Sequence, residues 1–189
     1  MKKMAAMLVG LICLGGVAHG ESRLGPFVSW LNSNNDNAFG GGLRYEWLFA
    51  ERFGMDVRAS YVTDGDMYAI PLELGLVGVL PLERGSLYAG VGGGYYIPED
   101  IGMDTPWGRV DGPDATFGFY GTLGFRMPTG KNMEFFAEVK YTKAESDEES
   151  TSGPIYRNGQ MIGYTVHQTT KLGMDLAGIG ANTGILWKF

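Results

Sequence analysis

The sequence predicts an all-β protein: an antiparallel up-and-down transmembrane β-barrel of eight strands, with ten strands the weaker alternative. Three observations predict it. First, apolar residues alternate with polar or small ones through residues 21–189. The alternating segments are long enough to cross a bilayer as tilted strands, which need ~9–11 residues each. Second, no apolar run approaching the ~18 residues of a membrane-spanning helix follows residue 20. Insertion of this part into lipid therefore requires a closed barrel, because lipid cannot satisfy the backbone of an open sheet edge. Third, the last thirteen residues read A-G-I-G-A-N-T-G-I-L-W-K-F. Ile179, Ala181, Thr183, Ile185, Trp187 and Phe189 share one face of that strand, and Gly180, Asn182, Gly184, Leu186 and Lys188 share the other.

Residues 1–20 read as a signal peptide, leaving one domain over 21–189. Lys2 and Lys3 give the positive start, Met4 to Val17 the uncharged apolar run, and Ala18-His19-Gly20 the small residues flanking a cleavage point. As a membrane helix the run is short and lacks a basic stop. Cys13, the only cysteine, lies inside this leader, and Gly10 and Ile12 do not fit a lipoprotein signal. The remaining chain has no thiol and no disulfide. Without Lys2 and Lys3 the 15 Lys and Arg fall to 13, against 21 Asp and Glu, a net charge of −8. That acidity argues against nucleic acid as a partner.

The first strand, Arg23 to Leu31, puts Leu24, Val28 and Trp30 on one face. Ala38 to Phe49 alternates Phe39, Leu43, Tyr45, Trp47 and Phe49 with Gly40, Gly42, Arg44 and Glu46. Phe53 to Thr63 sets Met55, Val57, Ala59 and Tyr61 against Asp56, Arg58 and Ser60. In Met67 to Leu80, Tyr68, Ile70, Leu72, Leu74 and Leu76 point one way and Glu73 the other. Pro71 removes a ladder donor there, so a bulge or lost pairing is expected. Ser86 to Ile97 places Tyr88 and Tyr96 on the same face as Gly90, Gly92 and Gly94, a glycine row that relieves crowding in a narrow barrel or permits curvature. Ala115 to Met127 and Met133 to Lys143 continue the pattern, and Ala177 to Phe189 closes it.

The connections after the second, fourth and sixth strands are short, whereas two of the others, Pro98 to Asp114 and Ala144 to Leu176, are long. Barrels of the outer membrane have short periplasmic turns and longer external loops. The long loops would then lie outside and both chain ends in the periplasm. Within the last loop, Asn158-Gly159 between apolar flanks signals a projecting hairpin. Arms limited to Ile155 to Ile162 are too short to cross a bilayer, which favours eight strands over ten.

The apolar face is uncharged from Phe39 through Ile185, and its ends collect aromatics: Tyr45, Trp47 and Phe49, Tyr61 and Tyr68, Tyr141, Trp187 and Phe189. Aromatic girdles at two membrane interfaces account for that. The other face carries Arg44, Glu46, Asp56, Arg58, Glu73, Arg126, Glu138, Lys140 and Lys188, five basic and four acidic groups. An eight-stranded barrel is about wide enough for its own side chains. A salt-bridged network filling the lumen is the expected arrangement, and a selectivity lining for a pore is the alternative. Glu138 is expected to meet Arg126 and Lys188 on the flanking strands.

The terminal strand with Ile185, Trp187 and Phe189 resembles the closing strand of bacterial outer-membrane β-barrels. The chain from Glu21 onward is similar to the small OmpA/OmpX-like porin-family barrels. The resemblance implies that Ile185, Trp187 and Phe189 form a C-terminal signal read by the barrel assembly machinery. It also implies residence in the bacterial outer membrane among lipid and lipopolysaccharide, after Sec-type export and leader cleavage. The function expected is structural or surface interaction, with an extracellular ligand met by loops 98–114 and 144–176. A narrow channel for small solutes or ions is the alternative, and a lipid A-modifying enzyme the third. His167, the only histidine after the leader, has no local nucleophile and acid motif beside it and reads as a solvated loop residue. Asp147, Glu148 and Glu149 read as a solvated acidic run. Neither a metal nor a cofactor is expected.

Overall fold

Eight long strands form a closed antiparallel barrel in the computed structural model, which describes residues 20–33, 36–63, 68–98, 103–105, 108–110, 115–146, 149–157, 160–171 and 174–189. The expected leader lies almost wholly outside these residues. The barrel strands are β1 (Glu21–Ser33), β2 (Asp36–Ala50), β3 (Phe53–Thr63), β4 (Tyr68–Leu82), β5 (Gly85–Pro98), β6 (Thr116–Pro128), β7 (Met133–Lys143) and β8 (Gly178–Lys188). Each pairs with its neighbours in sequence, and β1 pairs with β8 to close the ring. Closure is completed by Ser22 and Phe189, whose backbones exchange two hydrogen bonds of 3.3 and 3.1 Å. Both ends of the barrel chain therefore meet at the rim that carries the short turns, the turn end.

The turns follow local chemistry. Leu82 pairs with Gly85 around the two-residue turn Glu83-Arg84. Gly85 has φ of +156°, and a Cβ there would sit 2.2 Å from the carbonyl oxygen of Arg126, so only glycine fits both demands. At Pro71 the β3–β4 ladder steps from Ala59↔Leu72 to Val62↔Ala69 without pairing between them. The register is unchanged across the step, so the proline causes lost pairing and not a bulge. Pro26 does the same to the β1–β8 ladder, which steps from Leu24↔Trp187 to Phe27↔Gly184.

At the opposite rim, the loop end, the long connections contain strands of their own. Met103–Thr105 pairs with Gly108–Val110, and Glu145–Ser146 pairs with Met174–Asp175. The hairpin around Asn158-Gly159 has arms Glu149–Arg157 and Gln160–Lys171. These arms, of 9 and 12 residues, are longer than the apolar flanks alone predict. They pair with each other and not with the barrel, while β7 pairs directly with β8. The strand count of eight thus rests on that direct pairing and not on short hairpin arms.

Alternation sorts the side chains as period 2 requires. Val28, Phe39, Leu76, Val91, Leu123 and Val139 are among the apolar residues exposed on the outer surface. Aromatics cluster on that surface near both rims. Trp47 lies edge-on to Phe49 toward the turn end, and Tyr61 stacks on Tyr68 toward the loop end with centroids 5.5 Å apart. Inside are two apolar clusters. Phe27, Leu48, Val77, Val79, Tyr88, Phe136 and Leu186 form one, weighted toward the turn end. Leu31, Ala38, Val62, Ala69, Tyr96 and Ala144, with Leu176 packed against them, form the other across the loop end.

Candidate functional site

Among the described residues, the polar centre of the lumen is where the fold concentrates buried ionisable groups. Arg44, Glu46, Asp56, Arg58, Glu73, Arg126 and Glu138 are all buried there, with exposures of 4% or less. The β2–β3 register sets Glu46 directly opposite Asp56 and Arg44 directly opposite Arg58. Like charges therefore face each other across the ladder, which alone would be unfavourable. The ion pairs form diagonally and along the strand instead. Arg44 Nε reaches Asp56 Oδ2 at 2.8 Å, Arg44 Nη2 reaches Glu46 Oε2 at 3.2 Å, and Arg58 Nη2 reaches Asp56 Oδ2 at 2.8 Å.

Glu138 ties the two sides of the barrel together. From β7 it accepts hydrogen bonds from Arg44 Nη1 at 3.1 Å and from Arg58 on the far wall. Tyr88 donates its hydroxyl to Oε2 at 2.8 Å, and Asn182 Nδ2 donates to Oε1 at 2.7 Å. The expectation that Glu138 meets Arg126 and Lys188 is corrected. Its ladder partners on the flanking strands are Gly124 and Asn182. The glycine supplies no side chain, its space being taken by the Tyr88 ring, and an arginine from the opposite wall is long enough to cross a lumen this narrow.

The remaining charges divide by height. Toward the loop end, Lys140 pairs with Glu73, which also accepts the Tyr96 hydroxyl at 2.8 Å. Arg126 pairs with Glu46 and lays its guanidinium over the Tyr88 ring, 4.3 Å from the centroid. Toward the turn end, Arg23 reaches Glu46 at 2.7 Å and Glu134 at 3.0 Å, and Lys188 reaches Glu134 at 2.8 Å. Lys188 therefore belongs to the rim and not to the surroundings of Glu138.

Sequence reasoning missed Arg23, Glu134, the Asn182 amide and the hydroxyls of Tyr88, Tyr96 and Tyr120. The signal for the first two was parity. Arg23 lies one residue from outward Leu24, and Glu134 lies four from Glu138. The tyrosine hydroxyls had no signal beyond face, because their bonds cross the barrel; Tyr120, for example, donates to Asp56 Oδ1 at 3.0 Å.

The glycine row makes room for those rings. A Cβ at Gly92 would lie 2.6 Å from the Tyr120 ring and 2.4 Å from the Leu74 carbonyl oxygen, and one at Gly124 would lie 2.6 Å from the Tyr88 ring. Crowding relief, one of the two readings of the row, is thus visible in the packing. Gly92→Ala should destabilise the barrel by ~1–3 kcal/mol, since the backbone oxygen cannot yield as a flexible side chain would. Denaturant unfolding of the refolded variant measures it.

Ile185 and Trp187 on β8, and Phe189 just after it, are exposed at the turn-end rim. His167 lies on the arm Gln160–Lys171, a strand where a solvated loop was expected. Its side chain falls outside the described residues, as do the side chains of Asp147, Glu148 and Glu149.

A closed eight-stranded antiparallel barrel with no helix among the described residues, apolar outside and charge-paired inside, defines the class: this is the fold of small outer-membrane barrels. The chain is similar to the outer membrane protein OprG of Pseudomonas aeruginosa, with 16% identity, 93% of this chain and 98% of that chain covered, and a TM-score of 0.60. It is also similar to Neisserial surface protein A (9% identity, 90% and 97% covered, TM-score 0.58) and to the N-terminal β-barrel domain of Pseudomonas aeruginosa OprF (9%, 90% and 100%, 0.57). At these identities the likeness is one of fold. No protein-family model matches the sequence, and no curated protein matches it.

Proposed function

We propose that the protein resides in the bacterial outer membrane, that its lumen is closed by its own side chains, and that its loop end serves as an interaction surface outside the cell. The observation that carries this reading is the buried, mutually paired set around Glu138, which bridges opposite walls of the barrel. A lumen spanned by side chains leaves no continuous aqueous path, so solute passage is not the barrel's main task. The loops 98–114 and 144–176, which carry the paired strands Met103–Thr105 with Gly108–Val110 and Glu149–Arg157 with Gln160–Lys171, then become the parts that meet a partner. The predominantly apolar outer surface with aromatics near both rims supports contact with lipid and, at the outer leaflet, with lipopolysaccharide.

Sec-type export with removal of residues 1–20, and delivery to the barrel assembly machinery, belong to the same proposal. Ile185, Trp187 and Phe189 would be the recognition strand. Deleting Phe189, or replacing it with Asp, should reduce the outer-membrane level of the protein more than it reduces the stability of barrel already folded. Equal amounts of wild-type and truncated protein in isolated outer membranes would count against that role.

Planar-bilayer recording on the refolded, lipid-reconstituted protein tests the closed lumen. The expected trace shows no unitary conductance steps. Reproducible steps from pure wild-type protein would reverse the order of readings and make a narrow channel for ions or small solutes the leading one.

A further inference from the structure

The outer wall of the barrel carries a groove. The ladder row that starts at Phe53, the first residue of β3, runs through Gly78 on β4 and Ala89 on β5. Gly121 on β6 stands beside Val91, one outward position further toward the loop end. Gly78, Ala89 and Gly121 form the floor of an open apolar groove of about 1030 Å³, walled by the exposed side chains of Leu76, Val91 and Leu123. Phe53 is at the turn-end rim and Gly121 is midway along β6, so the groove climbs from the rim into the middle of the apolar belt.

Packing does not require the two glycines. A Cβ at Gly78 would meet nothing closer than 3.8 Å, and one at Gly121 nothing closer than 3.9 Å. The inward glycines differ, because a Cβ at Gly92 or Gly124 would run into a tyrosine ring. Glycine weakens a strand interior, so what these two positions supply is the depth of the groove. Its rim end is charged. The turn Glu51-Arg52 precedes Phe53, and the Arg52 carbonyl accepts the Val79 N–H at 2.8 Å, which holds the turn against β4 beside Gly78. Glu51 and Arg52 are exposed, and neither has an ion-pair partner among the described residues.

We propose that this groove seats one acyl chain of a phospholipid whose headgroup carries both a phosphate and a primary ammonium, with the phosphate at Arg52 and the ammonium at Glu51. The proposal rests on the reading of the outer surface as lipid-facing. A zwitterionic headgroup matches the Glu51-Arg52 pair, whereas a purely anionic one would meet the Glu51 carboxylate. The floor crosses three strand spacings, ~15 Å, room for much of an extended chain. In lipid no hydrophobic gain separates one place on the wall from another, so close packing against the floor is what holds the chain.

Native mass spectrometry of the full refolded barrel, released from vesicles of equal parts phosphatidylethanolamine and phosphatidylglycerol, tests this. The wild type should retain a single phosphatidylethanolamine. Filling the floor with Gly78→Leu and Gly121→Leu together should lower that retention on the order of tenfold, the equivalent of about ten lost carbon–carbon contacts. Ala89→Leu, a second way of filling it, should act in the same direction. Arg52→Gln should weaken retention of both lipids, and Glu51→Gln should shift it toward phosphatidylglycerol. Equal retention by the wild type and the filled variants would overturn the proposal. So would several lipids of both kinds on the wild type, a result that needs no variant to fold. A wild-type dimer abolished by the fillings would also overturn it, since a second copy would then occupy the groove. The two readings fail separately. A barrel that does not insert into vesicles contradicts the lipid-facing surface, whereas an inserted barrel with indifferent retention contradicts the groove alone.

Discussion

Replacing Glu138 with alanine should lower the unfolding free energy of the lipid-embedded barrel by ~3–5 kcal/mol, the scale for removing one partner of a buried ion pair. Arg44 and Arg58 would both lose a carboxylate partner and remain facing each other across the β2–β3 ladder. Asp56 would still hold them both and Glu46 would still hold Arg44, but Arg58 would be left with Asp56, which it shares with Arg44, as its carboxylate. The Tyr88 hydroxyl and the Asn182 amide would also lose their acceptor in a space with little water. Glu138→Gln keeps the shape and an acceptor oxygen but not the charge, so its cost should fall between wild type and alanine. Denaturant titration in vesicles, followed by tryptophan fluorescence, provides the measurement. A loss for the alanine variant below ~1 kcal/mol, the scale of an exposed pair, would mean that lumen water replaces the carboxylate.

The second large effect is on the outer surface. Val139 is 57% exposed there, and it pairs in the ladders with Leu123 and Ala181, both also outward. It lies on the same strand as Glu138, one residue away and facing the opposite environment. Val139→Arg should cost ~2–4 kcal/mol if that surface meets the bilayer midplane. The same arginine at Thr129, in the exposed turn after β6, should change stability by no more than ~0.5 kcal/mol. Equal costs at the two positions would mean that the outer belt of this barrel is not bathed in lipid.

What could be read from the sequence was what depends on parity. Alternation alone divided Glu138 from Val139 and placed Arg44, Glu46, Asp56 and Arg58 on one face. The missing donor of Pro71 likewise marked a bulge or lost pairing there, and lost pairing is what the ladder has. What could not be read depends on three-dimensional reach. Which cation meets Glu138 is decided by side-chain length across the ring, not by neighbouring strands, so Arg58 was invisible as a partner and Lys188 was a wrong one. The like-charge register of Arg44 with Arg58 is set by the β2–β3 turn, where Ala50 pairs with Phe53 after a shift at Leu48. No residue pattern announces that shift. Leu176 was equally hidden: in sequence it is an isolated leucine at the end of a polar loop, and only the folded loop base packs it against the loop-end cluster.

The central claim is that the buried charges act as one connected structural element and not as separate pairs. The double-mutant cycle of Glu138→Ala with Arg58→Ala, measured by unfolding in lipid vesicles, tests it most directly. The two residues stand on opposite walls and touch only through the lumen. Removing both takes the stranded charge away with its partner, so the double variant should be more stable than the sum of the single losses, by about 2 kcal/mol. Additive losses, agreeing within ~0.5 kcal/mol as for distant independent sites, would contradict the account.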